Sequence, residues 1–199
     1  PRASNESNFA LRAMVGEENF YAGYSDVEHE SMIVILDLAS DTAFHSPSVR
    51  EIERADAVLI LGEDVTNVAP RIALALRQSV RNHAKDLADQ SRIPQWQDAA
   101  VRELAQHERS PLSIISPAVS RLDDVASDRV IESLSIVAAM GHQIANKIVT
   151  SAPNASSSTE HDEVIEKIAE QLKAAKRPLI IAGNSNGSEV IKAAANIAR

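Results

Sequence analysis

Between Lys176 and Lys192 the chain changes its apolar period within a few residues, and a strand feeding directly into a helix accommodates that change. Leu179 to Ala182 form an unbroken apolar run entered through Pro178, the pattern of a strand buried on both faces of a parallel sheet. Val190, Ile191, Ala194 and Ile197 then recur at helical spacing. This order puts the intervening loop at the carboxyl end of a strand, where open α/β sheets bind their ligands.

The loop, Gly183-Asn-Ser-Asn-Gly187, admits three readings. It fits the glycine-x-serine-x-glycine nucleophile elbow, in which a strained turn lifts a serine hydroxyl out of the sheet. In that architecture the acid and the histidine follow the serine, yet only twelve residues follow Gly187 and none is Asp or His. The backbone N–H groups of Asn186 to Ser188 could instead cradle a phosphate at a helix start, but the lysine of a P-loop is absent. The third reading, a tight strand-to-helix turn with Ser188 as the cap, asks least of the residues present.

Two more apolar runs extend the pattern. Ala57 to Leu61 closes in Gly62, and Leu112 to Ser116 is bracketed by Pro111 and Pro117. Parallel strands are therefore predicted at 57–61, 112–115 and 179–182, with Leu59, Ile60, Ile72, Leu76, Ile180 and Ile181 in the core. Helices are predicted from a cap at Ser4 or Asn5 to Val15, from Val27 to Ala39 behind Asp26, and from Ser46 and Pro47 to Arg54; within the second, the apolar run Met32 to Leu36 also fits a buried strand, and the Asp26 cap favours helix. A long helix follows, starting between Asn67 and Pro70 and running past Leu87, with Ile72, Leu76, Val80 and Leu87 as its stripe. Arg71, Arg77, Arg81 and Lys85 lie off that stripe, either as a solvated face or as an anion surface. Further helices are expected over 93–107, with Trp96, Ala100 and Leu104 as an inward stripe at i, i+4 and i+8, over 130–149, and over 160–175 behind a Ser157/Glu160 capping box. The predicted fold is α/β, a layered Rossmann-like parallel sheet flanked by helices. Residues 1–150 form its first unit, the serine-rich 151–159 a linker, and 160–199 a helix-strand-helix unit cut short at its end. The start at Pro1 and the stop at Arg199 within a helical pattern suggest a piece of a longer protein.

Composition narrows the functions. A net charge of −8 and 3% aromatic residues argue against nucleic acid as a partner. No apolar run approaches the ~18 residues of a membrane span, so no direct membrane insertion is expected. With no cysteine and six histidines in separate elements, no metal site is expected within these residues. The acidic pairs Glu63-Asp64 and Asp123-Asp124 lack a base or metal partner nearby in sequence, and no catalytic residue is assigned.

Four segments in order carry a family resemblance: Pro1-Arg-Ala-Ser-Asn-Glu-Ser-Asn-Phe-Ala-Leu-Arg12 with Val15-Gly-Glu-Glu-Asn-Phe20, then Arg50 to Thr66, Arg71 to Gln78, and Pro178 to Gly183. Together they resemble the molybdopterin-oxidoreductase family, and within it the large iron–sulfur subunits of bacterial proton-pumping NADH:quinone oxidoreductases, respiratory complex I. The resemblance implies that these residues form part of a molybdopterin-oxidoreductase-like domain in the peripheral arm. It implies other peripheral-arm subunits as partners and a place on the cytoplasmic side of the inner membrane. Cysteine-ligated iron–sulfur clusters would lie upstream, with no cofactor in this piece.

The chain departs from catalytic relatives at one informative place. Strand 57–61 ends in Gly62-Glu63-Asp64, where active relatives usually carry a glycine-x-asparagine turn, and two carboxylates there repel a pyrophosphate. The expectation is a non-catalytic structural and interaction module that supports electron transfer from NADH to quinone through clusters elsewhere. If a cofactor were retained, Gly62, Asp64, Thr66, Gly183, Asn184 and Ser185 would be its contacts. The alternatives are the cofactor-binding part of an active molybdopterin oxidoreductase such as a formate dehydrogenase, and the central domain of a thiamine-diphosphate enzyme, whose strand often reads like Arg177 to Gly183.

Overall fold

The computed structural model describes residues 3–21, 23–149 and 161–199. The predicted linker at 151–159 and the Ser157/Glu160 capping box lie outside the described residues. A parallel four-stranded sheet runs in the order β3-β2-β1-β4, formed by β1 (Ala57–Leu61), β2 (Leu112–Ser116), β3 (Asp128–Ile131) and β4 (Pro178–Ala182). All three predicted strands are present, parallel as expected, and β4 pairs with β1 along its whole length.

Alternation along the central strands divides the core into two. Leu59 and Leu61 face one helical layer, α8 (Leu134–Val149), α9 (Asp162–Ala174) and α10 (Ser188–Ala198), through Val137, Ile144, Ile165, Ile168 and Val190. Val58, Ile60, Leu112 and Ile114 face the other, where α3 (Val49–Ile52), α4 (Val65–Val68) and α5 (Pro70–Ser79) contribute Ile52, Val65 and Leu76. Gly141 brings α8 close to α10, because a Cβ there would lie 2.9 Å from that of Ala193.

Within the sheet and the helices that follow β1, four expectations need correction. Residues 130–131 are strand, not helix: β3 buries only Val130, so it lacks the apolar run that marks a central strand, and α8 starts at Leu134. The long helix after Pro70 breaks into α5 and α6 (Asn82–Gln90). At the break the Val80 carbonyl accepts Ser110 N–H at 3.0 Å, and the buried Asn82 amide donates to the carbonyls of Glu53 (2.8 Å) and Ala55 (2.9 Å). The helix expected over 93–107 is only α7 (Asp98–Ala105); it buries Val101 and Ala105 and leaves Trp96 81% exposed in the preceding turn. Ile72, Ile180 and Ile181 are half-buried, the last two because β4 is an edge strand among the described residues. Leu59, Ile60 and Leu76 are buried as predicted.

Before the sheet, α1 (Asn5–Val15) starts at a Ser4 cap and stops at Gly16, as expected, but buries none of its side chains; Phe9 and Met14 are exposed. The run 32–36 is helical, within α2 (Asp26–Ser40). Its cap is Ser25, in a capping box with Glu28, rather than Asp26. The third helix likewise starts later than expected, at a Ser48/Glu51 box in place of Ser46 and Pro47. Reciprocal bonding satisfies two orphan donors in such a box, which outweighs a lone cap.

The Ser48 box makes a pH prediction. The Ser48 backbone N–H, 2.7 Å from Glu51 Oε2, together with the Ser48 hydroxyl and His45, holds the Glu51 carboxyl down at about 2 from an ordinary 4.5. A depressed folded-state pKa stabilises the fold fully above the ordinary value, and that contribution is lost as pH falls from 4.5 towards about 2. Acid unfolding followed by circular dichroism is expected to be shallower across that window in Glu51→Gln than in the parent chain. Identical curves would mean that the box contributes nothing.

Candidate functional site

The strand order reverses between β1 and β4, so their carboxyl ends open onto one crevice, the place where doubly wound sheets hold ligands. The β1 loop enters it through Gly62, whose φ of +74° suits glycine; the Asn186 side chain would lie 3.2 Å from any Cβ added there. The β4 loop enters it as a single turn of 3₁₀ helix, Asn184–Asn186, followed by Gly187 at φ +84° and then α10. The predicted strand-turn-helix is therefore correct. Ser188, however, is the first helical residue and not the cap, which is Gly187.

Glu63 fills the crevice. Although acidic, it is only 7% exposed. Its Oε2 accepts the Ser185 hydroxyl at 3.0 Å and the Asn186 amide at 3.4 Å. The carboxylate lies against the Gly183 backbone so closely that a Cβ at that position would fall 1.5 Å from Oε2. A second carboxylate stands at the start of α10, where Glu30 of α2 accepts the buried Ser188 hydroxyl at 2.8 Å. Negative charge is favoured at a helix N-terminus, and here the chain supplies it from its own side chains.

The other predicted contacts have local duties. Asp64 caps α4, accepting Thr66 N–H at 3.1 Å together with the Thr66 hydroxyl and the Asn67 amide. The Thr66 hydroxyl is the main reason its carboxyl is held below the usual range. Gly62, Gly183 and Ser185 do meet at the crevice, whereas Asn184 is exposed on its rim. The elbow geometry is not realised, because the Ser185 hydroxyl donates to a carboxylate and not to an imidazole. Asp123 and Asp124 are likewise anchors: Asp123 accepts from Ser120 and Arg129, and Asp124 binds Arg77 at 2.8 Å and 2.9 Å. Among the described residues no cluster of three or more His, Cys, Asp or Glu could hold a metal ion.

These residues do not fit a pterin pyrophosphate. An anion placed in the crevice would face the Glu63 carboxylate directly, at roughly 4 kcal/mol for unit charges 4 Å apart at an effective dielectric of 20. The sequence marks Glu63 and Asp64 as repulsive, but the bond from Ser185, 122 positions away, leaves no local signal. The glycine at 183 is the trace of it, a close approach that any side chain would block.

No family model matches the chain. Over 100% of its residues the chain is similar to the G subunit of NADH-quinone oxidoreductase from Pseudomonas fluorescens, with 47% identity. The proteins of the same name from Shewanella oneidensis and Escherichia coli strain K12 are 45% and 43% identical, again over the full chain. In each case the match covers 22% of the relative, so the chain spans about a fifth of the length of the curated relatives it matches.

Proposed function

We propose that this chain, homologous along its whole length to one segment of the NADH-quinone oxidoreductase G subunits, is a non-catalytic structural and interaction module of the peripheral arm of that complex. It supports electron transfer from NADH to quinone through iron–sulfur clusters carried outside these residues, and it works on the cytoplasmic side of the membrane among other peripheral-arm subunits. None of the helices among the described residues is long and apolar enough to cross a membrane, which suits that placement.

The observation that carries the reading is Glu63. A fold that holds a cofactor at its switch point keeps the crevice clear for phosphate, whereas here an internal carboxylate bonded to Ser185 and Asn186 takes the space. The architecture is kept while the binding chemistry is not.

The test uses the full-length subunit in its assembled complex. Glu63→Gln, Asp64→Asn and Ser185→Ala are each expected to leave NADH:quinone turnover within about twofold, since none of the three is asked to stabilise a transition state. A large loss of turnover with normal assembly and intact iron–sulfur signals would give the crevice a direct role and end the scaffold reading. Stoichiometric molybdenum or tungsten in the purified subunit would do the same.

A further inference from the structure

On the face of the sheet opposite α8 to α10, a cavity of about 520 Å³ opens between α5, α6, α7 and the loop that precedes β2. Its size is typical of a recognition site. Five cations line it, Arg77, Arg81, Lys85, Arg102 and Arg109, over a floor that includes Val80, Val101 and Val125. The chain as a whole carries −8, so this concentration of positive charge runs against its composition.

Internal acids neutralise only part of it. Asp98 is shared between Arg81 (2.6 Å) and Arg102 (2.9 Å), and Asp124 is taken by Arg77. Glu108, the one carboxylate in the lining, reaches His83 at 2.9 Å. Among the described residues neither Lys85 nor Arg109 makes a close ion pair; Lys85 reaches the Asn82 amide oxygen at 3.4 Å, and Arg109 acts on the Asp124 carboxyl only at longer range, behind Arg77. Trp96 stands in the turn between Gln95, which lines the cavity, and Asp98, which holds two of its guanidinium groups. At 81% exposure it leaves the largest apolar side chain of the protein in water.

We propose that this cavity and Trp96 form a docking surface for an acidic segment of a neighbouring subunit, one that carries an apolar side chain beside its carboxylates. Exposed tryptophan and arginine around a concave, partly apolar patch are the residues that dominate protein interfaces. The two ion pairs at Asp98 already display the carboxylate geometry that the surplus cations offer to a partner. A lone phosphate uses neither Trp96 nor the valine floor. The source is a separate polypeptide and not the rest of the same chain, because a subunit that folds before it assembles needs an assembly surface compatible with water, and a charged one is. The apolar faces of α1 and α2, with Phe9 and Met14 exposed, are instead suited to permanent cover. This inference rests on the proposed membership of a multi-subunit complex.

The test places a photoreactive side chain at the rim, Trp96→benzoylphenylalanine, in the full-length subunit within its complex. Irradiation is expected to join position 96 to an Asp- and Glu-rich segment of another subunit. Arg109→Glu in the same background should lower the cross-link yield roughly tenfold or more, the loss expected when an interface anchor is reversed. An intact circular dichroism spectrum confirms that the exposed substitution has left the fold alone. No cross-link in a complex that holds the subunit at normal level overturns the inference alone, as does a cross-link only within the same chain or to a segment without net negative charge. Micromolar binding of inorganic pyrophosphate or ATP at Trp96, read by its fluorescence, also overturns it in favour of a small-anion site. Absence of the unsubstituted subunit from the complex would overturn the proposed function as well.

Discussion

Truncating Leu59 to alanine is expected to lower the unfolding free energy by about 2–5 kcal/mol. Leu59 is fully buried at the middle of β1, paired across the backbone with Ser113 on one side and Ile180 on the other. Its side chain sits among those of α8, α9 and α10, where close packing leaves little room to collapse around a cavity. Ile180→Ala, in the same row but on the half-buried edge strand, is expected to cost clearly less, roughly 1–2 kcal/mol from the smaller area removed from water. Equilibrium denaturation of the three proteins under one set of conditions checks the ordering. Equal costs would mean that β4 is covered as fully as β1.

That comparison marks where sequence reading succeeds and where it stops. Ala57 to Leu61 is recognisable because a strand buried on both faces is apolar throughout, and Leu112 to Ser116 because its apolar residues stand between two prolines, with Ser113 and Ser116 small enough to be buried beside them. Leu179 to Ala182 shows the same apolar run while only half-buried, so composition alone does not distinguish a central strand from one at an edge. Asp128 to Ile131 is the reverse case: one buried valine suffices once β2 offers a free ladder to pair with. Trp96 misleads because an i, i+4 pattern with Ala100 and Leu104 reads as a stripe. The stripe requires a helix that reaches residue 96, and the chain is in a turn from Pro94 to Gln97. The crevice is half legible. Its two loops follow from the strand-to-helix change of period, and the acidity after Gly62 is visible directly, but the contact of Glu63 with Ser185 belongs to the folded sheet alone.

Gly183→Ala is expected to destabilise the chain by about 1–3 kcal/mol, the usual range for forcing extra volume into a filled site. The reason lies outside the backbone of residue 183, whose φ of −123° and ψ of 168° any residue adopts. It lies in Glu63, whose Oε2 would be 1.5 Å from the new methyl carbon. To make room the carboxylate must swing away and give up the Ser185 hydroxyl and the Asn186 amide, leaving those groups to find water or go without. The double change separates this cause from ordinary glycine effects. With Glu63→Ala already in place the methyl group meets no carboxylate, and Gly183→Ala should become neutral or stabilising by up to about 1 kcal/mol, because alanine has less freedom to lose on folding. Chemical denaturation of the four proteins in this cycle reads the coupling directly. If Gly183→Ala costs the same in both backgrounds, the crevice is not closed by Glu63, and the proposal that a side chain of this protein has taken the place of a bound phosphate loses its physical basis.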